Sequence, residues 1–364
     1  MEKKNQFKVG CNFDFNLIAK CAELNDKYGG DRGIINEFYG SDRAHAKLSA
    51  RPEFRLQDIS EIDLAEFIKI SKIENINFNY LMNSIIPGTK REIEEMKPKL
   101  IDWVHKLEDI GVYRLTVANP IILPIIREAS KTIKIELSTI MHIDAITQIK
   151  YYKDQYDIDK VCGNIIKNRS FKFLKNAADF CNNNDIMYEI LANEFCGNGG
   201  SNYLAPCVYR DSCYICHGTN HTKEDAELLN GYPMNMCMAS RDDMPPMNWL
   251  RTRFVRPEDI KEYNKIGIYN WKISGRTGST EYITKVAKAY ISENFDDNLL
   301  GLWKPLETIY SGESENSFKH QVNIPNKKLN GFINHWAKNL DFDCANEVCG
   351  TTCNYCEKFA DKIK

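Results

Sequence analysis

Phe7-Lys8-Val9-Gly10-Cys11-Asn12-Phe13-Asp14 is the stretch whose reading decides the fold. It is an apolar, strand-like run that closes on polar residues, and the chain then passes into an amphipathic segment. A dinucleotide-binding fold would place a Gly-rich phosphate loop at this point, and none is present. Seven further strand candidates follow: Ile34–Tyr39, Ile76–Leu81, Val112–Val117, Ile133–Leu137, Lys160–Ile165, Ile186–Leu191 and Tyr269–Ile273. Helical patterns separate most of them. Glu92–Asp109 carries apolar residues at three- and four-residue spacing, and Asp58–Asp63 offers N-cap residues ahead of Leu64, Phe67 and Ile68. Eight strands with helical connectors, spread over about 270 residues, favour an α/β (β/α)8 TIM-like barrel over a doubly wound sheet.

Such a barrel carries its chemistry just past the C-terminal ends of its strands. Those positions are polar here: Asn12 and Asp14; Ser41, Asp42 and Arg43; Asn79, Tyr80 and Asn83; Asn119; Ser138, Thr139 and His142; Asn168 and Arg169; Asn193 and Glu194; Lys272 and Arg276. Turns are polar in any protein, which accounts for part of this ring. The recurrence of Asn at five strand ends reads as a polar pocket.

The chain has 364 residues, a formal net charge of −2 and 43% hydrophobic residues, enough for a sizeable core. Near-neutral charge gives no sign of a nucleic-acid or membrane surface. The polar N-terminus has no signal-peptide core, and no apolar run reaches a membrane span of about 20 residues. A cytoplasmic protein without membrane partners is expected. Thirteen cysteines in such a chain point away from a secreted disulfide scaffold. Cys11, Cys21, Cys162 and Cys181 stand singly in apolar surroundings and read as small buried hydrophobes.

The other cysteines are grouped. Cys196, Cys207, Cys213, Cys216 and Cys237 fall in a Gly/Asn/Cys/Met/Pro-rich insertion after strand seven, spanning about residues 196–253. A stretch of that length without periodicity is functional or disordered, and thiolate ligation would order it. One CxxC pair with single thiols at irregular distances suits an iron–sulfur cluster better than a structural zinc site. Cys344, Cys349, Cys353 and Cys356 form a second group in the tail, again a metal site, with zinc as the alternative to a cluster. The spacing of the last three imitates radical S-adenosylmethionine enzymes, but Cys344 supplies a fourth ligand and the position is C-terminal. The expected organisation is a barrel over 1–303, with an extension over 304–364 that carries the four-cysteine site.

Several motifs resemble the peptidase U32 family. Phe254-Val255-Arg256-Pro257-Glu258-Asp259-Ile260, followed by Gly267–Arg276, is similar to its signature; so are Tyr39–Ser41 with Arg51-Pro52, Phe78–Asn83, and Asn193–Cys196 with Pro206-Cys207 and His217. The resemblance implies a barrel with a [4Fe-4S] cluster on Cys196, Cys207, Cys216 and Cys237, with Cys213 left over or exchanged for Cys216. It also implies oxygen-independent hydroxylation or a related redox modification of a small molecule, an RNA or a peptide, with prephenate as oxygen donor in some members. Glu194 and His217 are the candidate catalytic residues. Arg51, Asn79, Asn83, Arg256, Lys272 and Arg276 are the candidate substrate contacts, because guanidinium groups pair with carboxylates bidentately. The alternative is a non-catalytic electron-relay or scaffold subunit that pairs with a related U32 subunit or an electron donor. The peptidase reading lacks HExxH and GxSxG motifs.

Overall fold

Lys8 points into the barrel while its neighbours Phe7 and Val9 join the apolar layer outside, and this division repeats around the sheet. The computed structural model describes residues 3–30, 32–194, 224–225, 228, 246–303 and 322–363. Eight parallel strands close into a barrel in sequence order: β1 (Asn5–Gly10), β2 (Gly33–Gly40), β3 (Asn77–Met82), β4 (Arg114–Val117), β5 (Lys134–Leu137), β6 (Lys160–Cys162), β7 (Met187–Leu191) and β8 (Asn270–Ile273). β1 pairs with both β2 and β8, which completes the ring. Each expected strand is present, with bounds shifted by a few residues.

The helices between the strands begin where local chemistry allows. α1 (Phe15–Tyr28) is capped by Asp14. α2 (Glu61–Ile73) is capped by Ser60, whose hydroxyl accepts from the Asp63 amide. α3 (Lys90–Asp109) opens with a reciprocal Thr89/Glu92 capping box. α4 (Leu123–Ala129), α5 (Ile146–Tyr156) and α6 (Phe171–Asn182) follow β4, β5 and β6. The short α7 (Pro246–Arg251) and α8 (Ile260–Asn264) precede β8, and α9 (Thr280–Ile291) follows it. No helix among the described residues is long and apolar enough to cross a membrane.

The C-terminal segment 322–363, with α10 (Asn334–Ala337) and α11 (Tyr355–Ile363), shares the barrel's core. Phe332, Trp336, Ala360 and Ile363 belong to the same apolar cluster as the strands. Arg256 secures the junction. Its buried guanidinium donates to Asn326 Oδ1 at 2.8 Å, to Asn330 Oδ1 at 2.9 Å and to the Leu329 carbonyl.

The barrel interior is ionic where a barrel of this kind ordinarily stacks branched aliphatic side chains. Lys8, Arg114, Lys160 and Lys272 face Glu37, Glu136, Asp159 and Glu189, so the charges balance. The Lys8 ammonium lies 2.5 Å from Glu136 and 2.7 Å from Glu189, and Arg114 pairs with both Glu37 and Asp159. Asn79 sits among them, donating to Glu37 at 3.0 Å and Glu136 at 2.9 Å and accepting from Thr116. Burial alone would raise the Glu189 carboxyl, but Lys8, Lys160 and Lys272 outweigh it and hold it at about 2.

Candidate functional site

The mouth of the barrel is built from the segments that leave β1, β2, β3, β7 and β8. Arg276 is its centre. The side chain is 8% exposed, and it donates to Ser41 Oγ at 2.8 Å and to Ser49 Oγ at 3.2 Å. Ser49 in turn accepts from the Arg51 amide, and Asn83 Oδ1 accepts from the Ala50 amide, so β3 holds the loop that carries Arg51. Burial and the neighbouring Arg51 guanidinium lower Arg276 to about 10. No carboxylate among the described residues forms an ion pair with Arg51 or Arg276. The Tyr39 ring forms the floor: its hydroxyl donates to the Ile273 carbonyl, and the Lys272 ammonium lies 4.6 Å from its centroid. Glu194 follows β7 on this face and contributes to the electrostatics felt by Tyr39.

Gly10 allows the close approach on which this arrangement depends. A Cβ there would lie 2.7 Å from the Arg276 backbone nitrogen. Gly10→Ala is expected to push the Arg276 segment outward and to cost about 1–3 kcal/mol of stability, read as a lower urea midpoint. An unchanged midpoint would show that the two backbones can separate freely.

The expected site residues divide sharply. Arg51, Asn83 and Arg276 come together at the mouth. Asn79 and Arg256 do not: Asn79 is spent on the interior carboxylates and Arg256 on the C-terminal junction, so neither offers a free group to a substrate. Lys272 lies beneath Tyr39, 3.9 Å from Glu136, on the interior side of that ring. Cys196, Cys207, Cys213, Cys216, His217 and Cys237 lie outside the described residues. The asparagines at the strand ends mostly stitch loops. Asn12 donates to the Gly278 carbonyl, Asn119 to that of Ile85, Asn168 to those of Leu191 and Arg253, and Asn193 to those of Ser274 and Leu302. Backbone carbonyls, rather than a ligand, account for the recurrence of this residue type.

Two features had no clear sequence signal. His45 donates from Nδ1 to Asp42 Oδ1 at 2.9 Å and stacks on Trp103 of α3 at 3.8 Å, while the Tyr80 hydroxyl donates to the other Asp42 oxygen. This group anchors the β2–α2 loop to the outer helix layer. Inside the barrel, Glu136, Cys162 and Glu189 bring ligand atoms within 4.8 Å of one another, a spacing that could hold a metal ion. Lys8 already bridges the two carboxylates, so a lysine cation takes that role. Cys162 is buried with Ile165 and Leu191 as expected but also meets the interior carboxylates, whereas Cys11, Cys21 and Cys181 are in the main apolar core.

The tail cysteines gather at the same end of the barrel. Cys344, Cys349, Cys353 and Cys356 line one small cavity together with Arg251, Arg253, Trp336, Glu347, Asn354 and Glu357. Arg251 and Arg253, in the segment that returns to the end of β7, line it, and Arg169, just past β6, stacks on the lining Trp336 ring and donates to the Leu250 carbonyl. The Trp336 indole N–H donates to Cys344 Sγ at 3.1 Å, and the Cys356 thiol donates to the Leu250 carbonyl at 3.7 Å. Gly350, at φ +84°, turns the chain so that its amide meets the Cys353 carbonyl at 2.8 Å. Burial pushes the Cys356 thiol up to about 11 against the pull of Arg169 and Arg253.

Residues 40–162 match the family model described as peptidase family U32. The uncharacterized protease MJ1657 of Methanocaldococcus jannaschii is 24% identical over 330 residues, covering 90% of this chain and 86% of that protein. A solved structure, that of the U32 peptidase Mk0906, superposes with a TM-score of 0.49 at 10% identity, covering 76% of this chain and 94% of the other. The chain is thus similar to peptidase family U32 through the segment 40–162 that carries the match.

Proposed function

We propose that this chain is an iron–sulfur enzyme that carries out an oxygen-independent hydroxylation, or a related redox modification, on an anionic substrate bound at the barrel mouth. The observation that carries this reading is Arg276: a buried guanidinium held by Ser41 and Ser49, which feels the Arg51 guanidinium and has no ion pair among the described residues. Like charges are costly to place together unless an anion joins them, and a carboxylate or phosphate accepts from two guanidiniums at once. Ser41 and Ser49 orient Arg276, and Asn83 holds the loop that brings Arg51. Glu194, where the chain leaves β7, would move a proton at a substrate bound near Tyr39, whose electrostatics it influences.

The four insertion cysteines, Cys196, Cys207, Cys216 and Cys237, would hold the [4Fe-4S] cluster implied by the U32 resemblance. Asn193 supports that assignment by fixing the exit of β7 to Ser274 and Leu302, so the insertion starts at the mouth. Val255 returns beside Ala192, so it also ends there. Such a cluster supplies or withdraws single electrons when bound. His217, next to Cys216, would donate to a cluster sulfur.

The decisive experiment compares metabolites and modified RNA and peptides, after anaerobic growth, between cells with and without this protein. A hydroxylated product that disappears, and returns with the wild-type chain, is the expected result. Unchanged metabolite, RNA and peptide pools would favour the electron-relay or scaffold reading, to which the exposed Cys349 edge of the tail cavity lends support. A peptidase reading rests only on the names of the relatives. The proposed localisation is cytoplasmic.

A further inference from the structure

We propose that Cys344, Cys349, Cys353 and Cys356 hold an iron–sulfur cluster of their own, with Arg169 and Arg253 as its buried counter-charge. The site does not depend on the reading of the barrel mouth. Three observations converge on it. The first is that four thiols from two turns and a helix start line a single cavity, with none in a disulfide. That donor set suits a four-thiolate centre.

The second is buried positive charge that makes no ion pair among the described residues, Asp259 being shared with Arg256. Arg169 is fully buried, held 4.5 Å from the Trp336 ring and 4.9 Å from those of Phe254 and Phe332. Its Nη1 donates to the Leu250 carbonyl at 2.7 Å, while Nε and Nη2 are buried without a partner. Arg253 is 4% exposed and lines the cavity, with its Nε likewise unpartnered. Glu347 and Glu357 also line the cavity, but neither forms an ion pair with these arginines, and Glu357 is exposed. Buried guanidinium groups left in this way need an anion, and neutral thiols are not one. Four thiolates around a metal centre carry net negative charge and accept hydrogen bonds at sulfur, as Cys344 already does from Trp336.

The third concerns spacing. A tetrahedral zinc site with Zn–S of about 2.3 Å holds its sulfurs about 3.8 Å apart. No three of these thiols lie within 4.8 Å of one another, whereas Glu136, Cys162 and Glu189 meet that limit. A cubane, whose thiolates bind separate irons, does not require so close an approach of the sulfurs.

The test uses the full chain, purified anaerobically, with iron, sulfide and zinc analysis and electron paramagnetic resonance after dithionite reduction. The double variant Cys344→Ser/Cys353→Ser is expected to lose about four irons and one reduced-cluster signal. A Cys196→Ala/Cys207→Ala variant is expected to keep that signal. Iron lost only from the insertion variant would overturn the tail site and leave the barrel-mouth reading standing. Iron lost only from the tail variant would support the tail site and remove the insertion cluster. Stoichiometric zinc lost with the tail variant would also overturn the proposal.

Arg169→Lys and Arg169→Gln cover the case in which the cysteine variants fail to fold. Both keep the cysteines, and the neutral variant is expected to lower the midpoint potential of the tail signal relative to Arg169→Lys, because removing a positive charge disfavours the added electron. Equal potentials in the two would show that Arg169 only packs.

Discussion

Lys8→Met is expected to destabilise the protein by about 3–5 kcal/mol, measured by urea unfolding, which is a third or more of a typical domain's stability. The Lys8 ammonium neutralises Glu136 and Glu189 together at the centre of the barrel, and all three side chains are almost completely buried. A methionine of similar length leaves the two carboxylates facing each other with Lys160 and Lys272 as more distant partners. The double variant Lys8→Met/Glu136→Gln is expected to recover part of the loss, because it restores the charge balance. A double variant no more stable than the single one would show that the lost lysine packing, rather than charge, set the cost.

The same network gives an acid limb of known sign. Glu189 has its folded pKa depressed from 4.5 to about 2, and Glu37 is lowered too, its burial outweighed by Arg114, Lys160 and Lys8. The stability they contribute is fully present above about pH 4.5 and is lost as the pH falls toward 2, where the unfolded chain binds protons that the folded one refuses. In Lys8→Met the loss should begin at a higher pH, since Glu189 loses the largest of its stabilising charges. Urea midpoints collected between pH 3 and 7 test this; superimposable acid limbs would contradict it.

Arg276→Met is expected to remove product formation by about 30- to 1,000-fold while leaving the fold intact, the range for truncating one partner of a buried charged contact. Ser41 and Ser49 remain paired to each other at 3.2 Å when the guanidinium is gone, so no hydroxyl is stranded. Relief of the repulsion from Arg51 should keep the melting temperature equal to that of the native chain or raise it. Arg276→Lys keeps the charge but not the fork, and should fall between. If Arg276 only tied the mouth loops together, product and melting temperature would fall in parallel in both variants. Activity is read as the product restored in anaerobically grown cells lacking the native chain.

The eight strands were legible in the sequence because each is a short apolar run whose polar neighbours mark its end. The capped start of α2 was legible because Ser60 acts on a backbone amide within one turn, whereas α3 was legible by its apolar periodicity and its Thr89/Glu92 box emerged in the structure. Arg51, Asn83 and Arg276 lie past strand ends, which is a position that order along the chain can suggest. Asn79 and Arg256 have the same residue type and similar spacing, yet serve the interior and the C-terminal junction. The difference lies in which way the side chain points and what closes over it, and neither is a local property.

The sequence by itself determined the barrel, its resemblance to peptidase family U32 and the presence of two cysteine groups, because periodicity, order of motifs and thiol spacing are written along the chain. Only the tertiary structure decided where the charges went. Lys8, Glu37, Arg114, Glu136, Asp159, Lys160, Glu189 and Lys272 are separate polar residues in the sequence, and barrel closure makes them one balanced interior. It also brought the tail cysteines to the face of the barrel where the insertion begins, against Arg169 and Arg253. Residues more than 80 positions apart became neighbours there through the packing of Trp336 and Phe332 on the rim.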